Sequence, residues 1–327
     1  MVNESYDFLR ICDNFKKTAN VKSVCVKERS THNAASITVT IPTYKDIEGL
    51  KKALISVLHQ EDYDDYNIQI VNNSHLDTEI IDELIKQPGG DRISYYENEE
   101  NIGMCANWNR CFELSSAKWT VMLHDDDTLS SNYLKEIMKI VQIRPNAGMV
   151  SPARYGLQYK KVEKANYPFE RFCLLDIFPG NQLGAPTGVL FRTEYVLTLG
   201  GWNEENTQLF DYWFNALFLV HYPVYVTPLK LVHYRWDMSR YSDEIKINLL
   251  VSEYWLYMKV LRYAHIPSKI AHIHSHAVIQ GGTYDLSTFL PIKNDYKSWQ
   301  FTFARRYIKI YSTLNHIIKN LIDKIIH

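Results

Sequence analysis

Residues 36–58 have the sequence SITVTIPTYKDIEGLKKALISVL, in which a strand pattern passes directly into a helix pattern. Apolar residues alternate with threonines from Ile37 to Ile41, which predicts a β-strand that stops at Pro42. Apolar residues then recur at helical spacing from Leu50 to Leu58, and Asp46 stands where a helix cap belongs. The stretch is therefore a β-α unit.

The same alternation continues along the chain. Further strands are predicted at Asn67–Val71, Ile93–Tyr96, Trp119–Leu123, Gly188–Phe191 and Val224–Tyr234, and further helices at 78–86, Met104–Leu114, Thr193–Leu199 and Asp211–Val220. Strands that alternate with helices indicate an α/β fold with a mostly parallel sheet flanked by helices. We expect an N-terminal segment without clear periodicity at 1–35, this α/β domain at 36–240, and a helical C-terminal appendage at 241–327.

The bulk composition is that of a globular protein. Over 327 residues the formal net charge is −1, which gives no general attraction to nucleic acid. The five cysteines are odd in number and include no C-x-x-C pair, so neither a disulfide framework nor a structural zinc site is expected. The absence of a signal-peptide pattern and of any 18-residue apolar run predicts a reducing, cytoplasmic location.

An acidic run follows the strand predicted at Trp119–Leu123. Its sequence is His124-Asp-Asp-Asp127. Three carboxylates at the mouth of a buried strand repel one another, and a divalent cation such as Mn²⁺ or Mg²⁺ would remove that penalty. The alternative is a solvated turn whose Asp and Ser residues cap the next helix.

The order of several short motifs resembles glycosyltransferase family 2. They are Ile-Pro-Thr-Tyr (41–44), Ile-Val-Asn-Asn-Ser (70–74), Asn-Ile-Gly (101–103) with Asn107, Leu-His-Asp-Asp-Asp (123–127), Gly-Gly-Trp-Asn-Glu (200–204) and Phe-Asp-Tyr-Trp (210–213). The resemblance implies a GT-A-like fold and an inverting, metal-dependent transfer from a nucleotide-sugar, a UDP-sugar, to a glycan. It also implies surface polysaccharide assembly on a lipid-linked acceptor.

The resemblance also implies roles for single residues. The donor nucleotide would contact Thr43, Tyr44, Asn72, Asn73, Asn107 and Asp125. Thr43 and Tyr44 would contact the nucleoside, and Asp125 would lie near the ribose or the sugar. Asn72 stands where many relatives carry an aspartate that contacts the edge of uracil. The metal would be held by Asp126 and Asp127, with His233 as a further ligand. His124 replaces the frequent leading acid, and in the closing segment His233–Asp237 an aspartate replaces the family's histidine.

Asp211 matches the family's general base, and Phe210 replaces the glutamate that often precedes it. A positioned carboxylate is what a sugar hydroxyl needs to become a nucleophile at neutral pH. The alternative is that Asp211 caps the helix it begins. For the acceptor, the resemblance points to the stretch NQLGAPTG (181–188), which contains Thr187; the alternative is an ordinary tight loop. Trp202, next to Gly201, either stacks on a sugar or fills the core.

The C-terminal tail is basic and amphipathic. Lys297 to Lys324 contain six basic residues and one acid, with apolar residues interleaved at helical spacing. A helix of this kind lies on an anionic membrane face, or else packs on the protein.

Two other functions remain open at this point. A nucleotidyltransferase would normally carry a glycine-rich, basic loop after the first strand, and residues 43–49 lack one. A glycan-binding protein that catalyses no reaction would explain why the chain departs from the family pattern at four positions, namely Asn72, His124, Phe210 and Asp237.

Overall fold

The computed structural model of the chain describes most of the sheet and its helices. The described residues are 7, 9–30, 35–75, 79–155, 169–177, 181–205, 209–235, 242–279, 286, 288, 290 and 296–326. Within them, ten strands form one mixed sheet in the order β1-β4-β3-β2-β5-β9-β7-β10-β6, and β8 also pairs with β10.

The strands are β1 (Ser23–Lys27), β2 (Ile37–Thr43), β3 (Tyr66–Asn72), β4 (Ile93–Asn98), β5 (Trp119–Met122), β6 (Thr128–Leu129), β7 (Met149–Tyr155), β8 (Glu170–Phe172), β9 (Val189–Arg192) and β10 (Val224–His233). The α-helices are α1 (Ile47–Leu58), α2 (Glu79–Ile85), α3 (Met104–Leu114), α4 (Tyr133–Ile143), α5 (Thr193–Thr198), α6 (Phe210–His221), α7 (Asp243–Tyr263), α8 (Ser268–Ile279) and α9 (Ser298–Ile326). Short 3-10 helices cover Asn14–Thr18, Gly90–Arg92 and Leu174–Ile177.

The centre of the sheet is parallel. Strands β4, β3, β2 and β5 run side by side in the same direction. Beyond them β9 is antiparallel to both of its neighbours, and β7 and β10 form a second parallel pair. Along the chain, β3 and then β4 are added on one side of β2, and β5 is then added on the other side of β2. The strand order reverses at β2, which is where open α/β sheets bind ligands. The predicted α/β class is confirmed.

Two apolar layers enclose the sheet. Helices α1 and α4 cover one face, where they bury the Ile37, Val39 and Ile41 side of β2. Helices α3 and α6 cover the other face and form a core rich in aromatic rings. Asp46 caps α1 as predicted, because its Oδ1 accepts a hydrogen bond of 2.9 Å from the Gly49 backbone N–H.

Part of the N-terminal segment is ordered against the sheet, which its lack of periodicity did not predict. β1 pairs antiparallel with β4 at the edge of the sheet. The Asn14 Nδ2 atom donates to the Gly200 carbonyl over 3.0 Å. On α3, Arg110 donates to the Thr18 carbonyl over 2.9 Å. Residues 14–27 therefore hold the start of the Gly-Gly-Trp turn against α3.

The C-terminal helices share a core with the sheet. Tyr254 and Tyr257 of α7 are buried in the same cluster as the α6 aromatics, and Ile308 of α9 joins them. The boundary predicted near residue 240 falls in 236–241, outside the described residues, and it stays a prediction. In the part of the chain that the structure describes, no helix is both long and apolar enough to cross a membrane.

Candidate active site at the carboxyl ends of the central strands

The acidic turn His124–Asp127 is held from two sides. On one side, a Cβ atom at Gly49 would lie 2.5 Å from the Asp125 carbonyl oxygen, so glycine allows α1 to approach the turn closely. On the other side, Asp127 is only 1% exposed, and its Oδ1 accepts a hydrogen bond of 2.8 Å from the Arg235 backbone N–H. The turn is thus held in place at the carboxyl end of β5.

Three side chains of this turn form a group that can hold a metal. His124, Asp126 and Asp127 each present a ligand atom, and these atoms lie within 4.8 Å of one another. The expected ligand His233 is not in this group, although its strand pairs it with Thr128. The imidazole in this group is that of His124, which belongs to the turn itself. Asp237 lies outside the described residues.

Asp125 points the other way, toward the end of β2. Its Oδ2 accepts hydrogen bonds from the Thr43 hydroxyl at 2.7 Å and from the Tyr44 backbone N–H at 3.3 Å. Burial raises the pKa of the Asp125 carboxyl from 3.8 to about 6, and the nearby charges of Asp126 and Asp46 add to the rise. The two hydrogen bonds oppose the rise without cancelling it. Thr43, Tyr44 and Asp125 therefore lie together at the end of β2.

Asn72 is closed off from a ligand in this structure. It is fully buried at the end of β3. Its Nδ2 donates to the Tyr95 hydroxyl at 2.8 Å and to Glu97 Oε1 at 3.4 Å. Its Oδ1 accepts from the backbone N–H and the hydroxyl of Ser74, both at 2.9 Å. Because its amide is fully engaged, the expected contact between Asn72 and a base edge does not fit the structure.

Asn73 and Asn107 likewise form part of a buried amide network. Asn73 donates to Asn101 Oδ1 at 2.7 Å and accepts from the Ile102 N–H at 3.0 Å. Asn98 Nδ2 donates to both Asn73 and Asn107, and Asn107 Nδ2 donates to a β3 carbonyl. These side chains fix the loop that leads into α3, and we assign them to positioning rather than to donor contact.

Asp211 lies in the first turn of α6. The helix begins at Phe210, and Leu209 occupies the N-cap position, so the alternative that Asp211 is the cap is wrong. Its Oδ2 accepts from Asn181 Nδ2 at 3.3 Å, and its Oδ1 accepts from the Tyr212 N–H at 2.7 Å. Asn181 is itself fixed, because its Oδ1 accepts from the Gly184 N–H at 2.9 Å.

The indole ring of Trp108 lies between the candidate metal group (His124, Asp126 and Asp127) and the start of α6. Its centroid lies 4.8 Å from that of His124, in a stacked arrangement. On another side it lies 5.0 Å from the ring of Phe210, the residue before Asp211. Helix α3 thus brings together two parts of the sequence that lie more than 80 residues apart.

The two candidate acceptor residues are internal. Trp202 is 1% exposed and lies against Phe112, Phe191 and Phe214. A ring so enclosed cannot stack on a sugar, so the alternative of a core residue is correct. Thr187 is fully buried, and its hydroxyl accepts a hydrogen bond of 3.1 Å from the His124 backbone N–H. Thr187 therefore positions the metal group.

Three residues near the site were not singled out from the sequence. Trp108 lies in the helix predicted at Met104–Leu114, and Asn181 begins the stretch NQLGAPTG. Glu97 at the end of β4 accepts from the Tyr95 hydroxyl at 2.7 Å. The rule that directs attention to the carboxyl ends of parallel strands would have found Glu97. No local pattern reveals the ring contact between Trp108 and His124.

Two proteins of known sequence are similar to part of this chain. An uncharacterized protein of Mycobacterium tuberculosis is 28% identical over 193 residues, which are 54% of this chain and 59% of that protein. WcaA of Escherichia coli, whose assignment to colanic acid biosynthesis as a glycosyl transferase is provisional, is 28% identical over 102 residues. That match covers 31% of this chain and 36% of WcaA. The chain therefore spans less than two thirds of both relatives.

Two solved structures share the fold. Staphylococcus aureus TarS residues 1–349, in complex with UDP, match with a TM-score of 0.54 and 14% identity, over 80% of this chain and 76% of TarS. The mannosyltransferase PcManGT of Pyrobaculum calidifontis, in complex with GDP-Man and Mn²⁺, matches with a TM-score of 0.53 and 14% identity, over 92% and 91%. Residues 38–200 match the family model for glycosyl transferase family 2. Through these residues, the chain belongs to glycosyl transferase family 2.

Proposed function

We propose that the chain is an inverting, metal-dependent glycosyltransferase that moves a sugar from a nucleotide-sugar to a glycan. The observation that carries the proposal is the position of Trp108, which has the group His124, Asp126 and Asp127 on one side and the start of α6 on the other. This arrangement offers a metal site and a carboxylate base along one edge of the sheet.

Each part of the site has a defined task in such a reaction. Asp211 takes the proton of the acceptor hydroxyl as that oxygen attacks the anomeric carbon. Asn181 orients the Asp211 carboxylate through its hydrogen bond. With Asp211 as the base, we propose a direct displacement, which turns an α-linked donor into a β-linked product. Asp125 accepts hydrogen bonds from the ribose hydroxyls of the donor.

The chemistry of the ligand set fits a divalent cation. Asp126 and Asp127 supply carboxylate oxygens, which suit Mn²⁺ and Mg²⁺, and His124 supplies an imidazole, which is not a usual Mg²⁺ ligand. We therefore propose Mn²⁺ as the preferred ion. When bound, the cation would offset the charge of the diphosphate leaving group.

We further propose that the acceptor is lipid-linked and that α9 holds the enzyme on an anionic membrane surface. Ala304 and Ile308 of α9 are buried against the protein. The other side exposes a stripe of apolar residues at helical spacing, namely Trp299, Phe303, Ile310, Leu314 and Ile317. Arg306 lies within the same helical stripe as these residues, and Lys309 is exposed beside it. A basic, apolar helix face suits an anionic leaflet. The helix thus packs on the protein and still keeps a face for lipid.

A donor panel tests the enzyme proposal. The full chain would be incubated with UDP- and GDP-sugars, with Mn²⁺ or with EDTA, and the released nucleoside diphosphate would be measured. We expect release from one donor class that needs Mn²⁺ and is lost in Asp126→Ala. Asp64→Ala is the matched control, because Asp64 lies just before β3, at the amino-terminal end of the strand, whereas the site lies at the carboxyl ends. Metal-dependent binding of a donor without any release or transfer would support the binding protein instead.

A further inference from the structure

A second cluster of metal-ligating side chains lies outside the transferase site. Cys173, Asp176 and His316 each present a ligand atom, and these atoms all lie within 4.8 Å of one another. His316 belongs to α9, and its Nε2 lies 2.6 Å from Asp176 Oδ2. Its Nδ1 lies 4.0 Å from the Cys173 sulfur. Two segments more than 130 residues apart therefore meet at this point.

The two ligands on the shorter segment are held in a fixed geometry. Cys173 and Asp176 close one turn, since Cys173 N–H donates to Asp176 Oδ2 at 2.6 Å and the Asp176 N–H donates to the Cys173 carbonyl at 2.9 Å. This Cys-x-x-Asp turn presents a thiol and a carboxylate three residues apart, which is a short ligand spacing of the kind found in zinc sites. The turn runs into the 3-10 helix Leu174–Ile177, and the Ile177 carbonyl accepts from the Tyr212 hydroxyl at 2.5 Å.

We propose that Cys173, Asp176 and His316 bind a zinc ion that fastens α9 to the Leu174–Ile177 helix. A thiolate, an imidazole and a carboxylate are the three ligand types that zinc prefers, and a mixed set of this kind does not suit Mg²⁺. Zinc distances of about 2.0–2.3 Å place tetrahedral ligands roughly 3.3–3.8 Å apart. In the present structure Nε2 faces Asp176 and Nδ1 faces Cys173, so on binding the imidazole would turn to direct one nitrogen at the ion. On binding, one proton from the Cys173 thiol and one from the His316 imidazolium pass to solvent, because zinc takes the thiolate and a neutral imidazole.

The surroundings permit such an ion. Cys173 is buried, whereas the side chains of His316 and Asp176 are 28% and 20% exposed, so water can enter as a fourth ligand. The spacing of the cysteines predicts no structural zinc site, and this proposal departs from that expectation because spacing does not reveal a ligand set assembled from a turn and a distant helix. The proposal is independent of the transferase reaction. Its consequence is mechanical, since the ion would connect α9 to the 3-10 helix whose Ile177 carbonyl accepts a hydrogen bond from Tyr212 of α6.

Cobalt substitution tests the site directly. The probe is Co²⁺ added to metal-free full-length protein carrying Asp126→Ala, which weakens the transferase metal site. We expect one equivalent of Co²⁺ to produce the near-ultraviolet band of thiolate-to-cobalt charge transfer, and one equivalent of Zn²⁺ to abolish it. Cys173→Ser should lose the band. His316→Asn, at a partly exposed position, should weaken binding by at least about 100-fold.

Cys25→Ser is the matched control, since Cys25 is an exposed cysteine on β1 and should leave the band unchanged. Circular dichroism of each variant checks that the protein is folded, and the partly exposed His316→Asn variant keeps the test valid if Cys173→Ser does not fold. A protein that shows no thiolate band at stoichiometric Co²⁺ would overturn the proposal. So would a band that survives in folded His316→Asn at undiminished affinity. In either case the cluster would be a hydrogen-bonded contact alone.

Discussion

Asp125→Asn should make the protein more stable at neutral pH while weakening its binding of a nucleotide. The substitution keeps the shape of the side chain. The amide oxygen can still accept from the Thr43 hydroxyl and the Tyr44 N–H, which now bond to Asp125 Oδ2. What the variant removes is a negative charge in a partly buried position beside two other carboxylates.

The size of the effect follows from the pKa of Asp125. Burial raises this pKa from 3.8 to about 6, and each pKa unit corresponds to about 1.4 kcal/mol. The ionised side chain would cost the folded state up to about 3 kcal/mol. Because the group is partly exposed and solvent screens its charge, we expect roughly 1–2 kcal/mol, or a few degrees in Tm.

The pH dependence has a definite sign. The pKa of Asp125 is higher in the folded protein than in the unfolded chain. Ionisation of this carboxyl therefore lowers the stability of the wild type as pH rises from about 4 to 6, and the loss is complete above 6. The variant carries no titratable group at this position. Its free energy of unfolding should therefore exceed that of the wild type most at pH 7–8, and the difference should vanish toward pH 4. Mn²⁺ should reduce the stability difference between variant and wild type at neutral pH, because a nearby cation stabilises the Asp125 carboxylate of the wild type.

Thermal unfolding of both proteins from pH 4 to pH 8, with and without Mn²⁺, measures the effect. Calorimetric titration with UDP and GDP at pH 7.5 should show affinity that is roughly 10–100-fold weaker in the variant, the loss of a charged hydrogen bond. A variant that is less stable than wild type at pH 7.5, or a stability gap that does not change with pH, would refute the reasoning.

Three further predictions concern the rest of the site and the tail. Asp126→Ala should abolish the Mn²⁺ dependence of nucleotide binding while the protein stays folded; equal affinity with and without Mn²⁺ in the wild type would contradict the metal site. Asp211→Asn should retain donor affinity and lose transfer by roughly 10²–10⁴-fold, and a variant with near-normal turnover would exclude Asp211 as the base. Ile310→Glu should reduce recovery with anionic liposomes in flotation, whereas Ile55→Glu, an exposed isoleucine on α1, should not; identical recovery of the two variants would exclude the lipid-facing stripe.

The sequence predicted the backbone well because its patterns are local. The β-α unit at 36–58, the helix at Met104–Leu114 and the strand at Val224–Tyr234 all follow from apolar spacing over a few residues. β1 was not predicted, since a short edge strand that is largely exposed has no apolar alternation. Its place in the sheet depends on pairing with β4, which is about 70 residues away.

The state of each side chain at the site could not be predicted in the same way. Whether Asn72 is open to a ligand depends on Tyr95 and Glu97, which occupy its amide. Whether Trp202 is exposed depends on aromatic rings contributed by three other elements. The motif gives the position of a residue along a strand or turn, and tertiary contacts decide whether its polar atoms remain available.

Two departures from the family pattern become intelligible only when they are considered together. An imidazole at position 124 can stack on an indole, which a carboxylate cannot do, and His124 does stack on Trp108. A phenyl ring at position 210 packs against the same indole, where a glutamate would bring a charge. Both unusual residues therefore belong to one packing arrangement that positions a metal ligand and the start of α6. Loss of function by drift would leave unrelated substitutions and a disconnected site. Two such residues that meet on one ring therefore favour the proposed transferase over a protein that binds a glycan without turnover.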